Sequence, residues 1–150
     1  MRYQRAELPL KLDSLEAARI FFSGCFTEAP AGLESLWVAH LDDKSRCLHL
    51  SRHEGEHCSV DFPLRSIIVD AAVHGSASIL LAHNHPSGDA RPSASDLRAT
   101  RRLATAAEAM GCTLLDHLVF ANMWLYKVRG GKIMGAEFFG DTAEALDALS

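Results

Sequence analysis

The sequence predicts an α/β domain in which a mixed sheet is flanked by helices, and three observations predict it. Segments with helical apolar spacing take turns with short apolar or alternating runs. Proline and glycine fall between these segments, at Pro30, Gly32, Pro63, Gly75 and Gly111. The 150 residues suffice for one core, and 48% apolar with 23% charged residues is the balance of a globular domain.

The elements follow in order. Residues 1–11 read as an extended lead-in. Asp13-Ser14-Leu15-Glu16 has the form of a helix cap, and Leu15, Ala18, Ile20 and Phe22 predict a helix over 14–25. Residues 27–32 form a loop, and 33–41, rich in Leu, Trp and Val, a buried strand. Residues 46–50 and 58–62 alternate around His53-Glu54-Gly55-Glu56 and predict a hairpin. Pro63 suits a helix first turn, Leu64, Ile67, Ile68, Ala71 and Ala72 share one face, and Gly75 ends the helix. Residues 78–82 form a short buried strand, and 83–92 a loop stiffened by two prolines. Ser93 sits where an N-cap belongs, and the helix continues through 97–110 to Gly111. Strands are predicted at 113–121 and 123–128, and a terminal helix at 141–149.

Composition excludes several classes of function. The net charge is -4 with no block of Lys and Arg, so bulk attraction to a phosphate backbone is not expected. Arg98, Arg101 and Arg102 read as a solvated helix face, with a local anion patch as the alternative. No segment approaches the ~18 apolar residues of a membrane span. The opening MRYQRAELPLKLD has no apolar h-region, so the expected compartment is the cytoplasm. Cys25, Cys47, Cys58 and Cys112 make no CxxC pair and read as small hydrophobes. Nothing in the sequence specifies an oligomeric state.

The chemistry is concentrated in 82–96, AHNHPSGDARPSASD. If the strand stays extended beyond Ala82, His83 and His85 point the same way and Asn84 turns away as support. Two imidazoles two residues apart can hold one metal ion. Asp96, at the start of the following helix, can supply a third donor, the number at which a catalytic zinc keeps a position for water. Asp96 also fits the acid of a capping box begun by Ser93, and both roles can coexist. Ser87 reads as a turn residue rather than a nucleophile. A zinc hydrolase needs a carboxylate to move protons. Spacing alone does not choose it from nineteen acids. Glu34 opens a buried strand, where a charge needs a reason, but an ordinary acid at a strand end explains it equally well.

His83-x-His85, seven residues, Ser93, two residues and Asp96 resemble the JAMM signature of JAB/MPN-domain metallopeptidases. The runs HNHPSG and PSxxD, with Leu114-Leu115-Asp116-His117, resemble the RadC family more narrowly, from about residue 12 to about 128. The resemblance implies a single domain over 12–135, followed by a tail over 136–150 with a short helix. It also implies a mainly antiparallel mixed sheet in a cytidine-deaminase-like sandwich. It implies Zn2+ held by His83, His85 and Asp96, Glu34 as general acid/base, and Ser93 as a donor to the tetrahedral intermediate. Asp116 and His117 match a paired motif and are expected to support the ligands. Hydrolysis of a peptide, isopeptide or similar amide bond in a peptide or protein substrate is the implied activity. A DNA-repair or nucleic-acid-processing role and a non-catalytic MPN interaction module are the alternatives; the acidic balance disfavours the first and the intact ligand set the second. The helix-hairpin-helix region usual in RadC proteins is expected to be missing, and the ending around Trp124 and Tyr126 departs from the family pattern.

Overall fold

A computed structural model describes residues 11–28, 34–54, 63–84, 94–121, 124–129 and 132–138. Among the described residues, three helices and six strands run in the order α1 (Leu15–Glu28), β1 (Ser35–Leu41), β2 (Cys47–Glu54), α2 (Leu64–His74), β3 (Ser78–Asn84), α3 (Ala94–Ala109), β4 (Thr113–Ala121), β5 (Trp124–Arg129) and β6 (Lys132–Phe138). The strands make one sheet in the order β2-β1-β3-β4-β5-β6. Among the described strands, only β3 and β4 pair in parallel, and the other four pairings are antiparallel. This is the predicted mixed, mainly antiparallel sheet.

Alternation along the strands divides the core in two. Trp37, Ala39, Leu80, Ala82, Leu118 and Phe120 meet Ala18, Phe22 and Cys25 of α1 on one face. Leu36, Val38, Ile79, Leu81 and Leu114 meet Ile67 and Ala71 of α2 and Leu103 and Ala107 of α3 on the other. All seven residues of β1 are buried, because β1 has a strand on each side and helices over both faces.

The helix ends follow local chemistry. Ser14 Oγ accepts from the Ala17 amide at 3.0 Å and caps α1. Gly75 closes α2 with φ 62° and ψ 41°, the left-handed conformation that lacks a penalty only for glycine. Arg98, Arg101 and Arg102 are exposed on α3, and no helix among the described residues is long and apolar enough to cross a membrane. Cys25, Cys47 and Cys112 form no disulfide; Cys58 lies outside the described residues.

Two expectations need correction. A hairpin that was not expected joins β1 and β2 through a turn at 42–46, and β2 runs on to Glu54, into the turn expected at 53–56, of which 55–56 lie outside the described residues. Asp42 makes that turn without a glycine: its Oδ1 accepts from the Lys44 and Arg46 amides at 2.8 and 2.9 Å. His53 and Glu54 are therefore strand residues. The second correction is β6, which was not anticipated. The helix expected at 141–149 and the strand expected at 58–62 lie outside the described residues.

Candidate metal centre

The strand β3 does stay extended past Ala82, to Asn84. His83 pairs in register with Leu36 of β1 and with Val119 of β4, so it rises from the middle of the sheet. It lies on the α2/α3 side and is completely buried. An imidazole at such a site requires polar partners. His83 Nδ1 lies 2.8 Å from His117 Nε2 on β4. His117, equally buried, places Nδ1 2.6 Å from Thr100 Oγ1 on α3. The three side chains form one hydrogen-bonded line from sheet to helix.

Glu34 immediately precedes β1, and its Oε2 faces His83 Nε2 at 3.6 Å. That separation is an ion-pair contact, too long for a direct hydrogen bond. The carboxylate therefore lies at the ring nitrogen that His117 does not engage. Asn84, next along β3, turns the other way, and its Oδ1 accepts from the Ser35 amide at 2.7 Å. This clip fixes the backbone directly after Glu34.

Of the five residues expected at the site, the structure brings His83 and Glu34 together. His85, Ser93 and the side chain of Asp96 lie outside the described residues; position 96 is in the first turn of α3, one turn before Thr100. Asp116 and His117 separate. A β-bulge between Ile79 and Leu80 shifts the β3–β4 register and puts Asp116 opposite Leu80, on the α1 side. There Asp116 lines an open cleft of about 400 Å³ with Asp13, Ser14 and Ser45. His117 supports His83, and Asp116 does not belong to that line. Thr100 was missed by the reading of the sequence. Its signal is a polar residue among Ala99, Leu103 and Ala107, the buried stripe of α3.

His83 fits a zinc ligand by donor type and, in one proton arrangement, by its free nitrogen, while the side chains of His85 and Asp96 lie outside the described residues. Two imidazoles and a carboxylate are a usual zinc donor set. In one arrangement, His83 Nδ1–H donates to His117 Nε2, and His117 Nδ1–H donates to the Thr100 hydroxyl. His83 Nε2 then carries a lone pair, as a metal ligand must. The reverse arrangement is also satisfied, because a hydroxyl can donate as well as accept.

Comparison with known proteins agrees with this architecture. The family model described as a RadC-like JAB domain matches residues 12–130. A UPF0758 protein of Cupriavidus pinatubonensis is 39% identical over 125 residues, covering 81% of this chain and 53% of its own. One from Porphyromonas gingivalis is 34% identical over 131 residues, 83% and 56% of the two chains. Another from Coprothermobacter proteolyticus is 31% identical over 117 residues, 77% and 49% of the two. The chain thus spans about half the length of the curated relatives it matches. By the family model and these relatives, this chain belongs to the RadC family, with a RadC-like JAB domain over residues 12–130.

Proposed function

We propose that the domain is a zinc-dependent hydrolase of the JAMM type, cleaving a peptide, isopeptide or similar amide bond in a peptide or protein substrate. The observation that carries the reading is Glu34 Oε2 at 3.6 Å from His83 Nε2, on a ring whose Nδ1 is engaged by His117. A half-buried carboxylate facing that nitrogen, just before an interior strand, supports the reading of Glu34 as a base beside a metal rather than a surface charge.

His83, His85 and Asp96 would hold the ion, as nitrogen, nitrogen and oxygen donors. A zinc ion bound there supplies Lewis acidity and brings the pKa of a water to ~7. Glu34 accepts the proton of the attacking water. It then returns a proton to the leaving amine, so one carboxyl serves both halves of the reaction. Ser93 donates a hydrogen bond to the developing oxyanion, a contact whose removal costs roughly 3 kcal/mol in other hydrolases. His117 and Thr100 hold the His83 ring and its proton in place.

Tag-free protein stripped with a chelator and reloaded with zinc tests the reading. Zinc at this site is expected to be lost in His83→Ala and retained in Glu34→Gln. Amine release from a panel of peptide and isopeptide substrates should disappear in both variants. Zinc uptake indifferent to His83, or hydrolysis indifferent to Glu34, overturns the assignment.

A further inference from the structure

A second group of donors gathers on the same face of the sheet as His83. It lies four residues further along β1 than Leu36, about 13 Å at strand spacing. His40 and His49 oppose each other across the β1–β2 pair, with ring centroids 5.6 Å apart. Asp70 and His74 stand one turn apart on α2, the spacing that puts two side chains side by side. The His74 ring stacks on His49 at 4.1 Å and lies 6.2 Å from His40. Asp70 Oδ2 is 3.8 Å from His49 Nε2. A cross-strand pair and a one-turn helical pair thus meet at one corner, contributed by three elements.

His40 is what a packing explanation leaves over. It is completely buried, and its Nδ1 lies 2.9 Å from Ser76 Oγ. Its Nε2 is also buried, with no hydrogen-bond partner among the described residues. Such a nitrogen is costly unless something binds it. With its Nδ1–H donated to Ser76 Oγ, the neutral ring carries a lone pair on Nε2, the form that ligates a cation.

We infer that His40, His49, His74 and Asp70 form a second metal site, separate from His83, that takes zinc or a similar divalent first-row cation. Three imidazoles and one carboxylate suit that class of ion. Among the described residues no three donors already converge to hold an ion. His49 and His74 instead lie nearly parallel, 14° between their planes. His74 is exposed at the last turn of α2, and rotating its side chain breaks the stack and turns a nitrogen toward His40.

Metal-free, tag-free protein is titrated with zinc in a calorimeter and, separately, with cobalt(II), whose visible absorption reports donor number and geometry. Two equivalents of zinc are expected. One should survive in His83→Ala and weaken at least tenfold in His74→Gln, a change at an exposed position. A circular-dichroism melt establishes that each variant is folded. His49→Gln should act like His74→Gln. Binding of one equivalent that His83→Ala removes and His74→Gln leaves unchanged overturns the second site, as does a complete lack of binding. Loss of only the His83-dependent equivalent instead strikes at the hydrolase reading, so the two inferences fail separately.

Discussion

His83 and His117 meet through a single nitrogen–nitrogen contact of 2.8 Å, in the centre of the sheet and away from solvent. The contact joins parallel neighbours, β3 and β4, whose order in the chain is separated by the whole of α3. Because α3 also brings Thr100 to the far side of His117, the crossover helix completes the line it spans. A buried imidazole has two nitrogens to satisfy, and here each neighbour satisfies one and passes the requirement on.

His117→Ala removes the partner that orients His83 and fixes its proton. Losing such a supporting partner typically costs ~10–100-fold in metal affinity. Zinc competition against a chromophoric chelator should show a loss of that order at the His83-dependent equivalent. An affinity equal to wild type would show that the His83 ring needs no support.

Thr100→Val keeps the shape of the side chain and removes the hydroxyl. His117 Nδ1 is then buried without its 2.6 Å partner. Leaving one buried polar group unsatisfied costs about 1–3 kcal/mol. Chemical denaturation should report a loss in that range, and Thr100→Ser, which retains the hydroxyl, should recover most of it.

These residues also show how far the sequence could be read. The short apolar run 78–82, between Gly75 and the prolines at 86 and 92, reveals β3, and the period of two along a strand places His83 on one side and Asn84 on the other. Glu34 could be placed at a strand end, but its approach to His83 depends on β1–β3 pairing, which joins residues 47 positions or so apart. Alternation on β4 misleads, because the bulge at Ile79/Leu80 reverses it between Leu114 and Asp116. The β1–β2 turn was hidden because Asp42 makes it with side-chain bonds, whereas Gly55 offered a more conventional signal elsewhere. The Gly130-Gly131 pair, by contrast, was a readable hairpin signal: Arg129 pairs with Lys132 across it, and β6 follows. The His40 corner was invisible because its members come from β1, β2 and α2 and share no motif.

Asn84→Ala should loosen the entrance to β1. Its Oδ1 is the acceptor for the Ser35 amide, 49 positions away in sequence, and that bond ties the ends of β1 and β3 together beside Glu34. One such bond contributes about 1 kcal/mol. Amide hydrogen exchange at Ser35 is expected to accelerate several-fold more than at Val38 in the same strand. Asn84→Asp, which keeps an acceptor at the same position, should protect Ser35 as wild type does. Equal exchange in the alanine variant would mean that the clip carries no weight.

The metal-free protein should lose stability in mild acid through His40. Burial, then the nearby His49, lower its pKa from 6.5 to about 4 in the folded chain. Between those two values the unfolded chain binds a proton that the folded chain refuses, so stability rises with pH across that window. The contribution is complete above pH 6.5 and is lost as pH falls toward 4. Fully expressed, a shift of that size amounts to roughly 3 kcal/mol. His53, whose pKa is also lowered by burial, adds a contribution of the same sign. His40→Phe fills the site with a ring that does not titrate, while breaking the contact with Ser76 Oγ. Its melting temperature is therefore expected to start lower at pH 7.5 but to decline less between pH 6.5 and 4. Melting curves for the two proteins that run parallel through this window would show that His40 takes up its proton in the folded state without penalty.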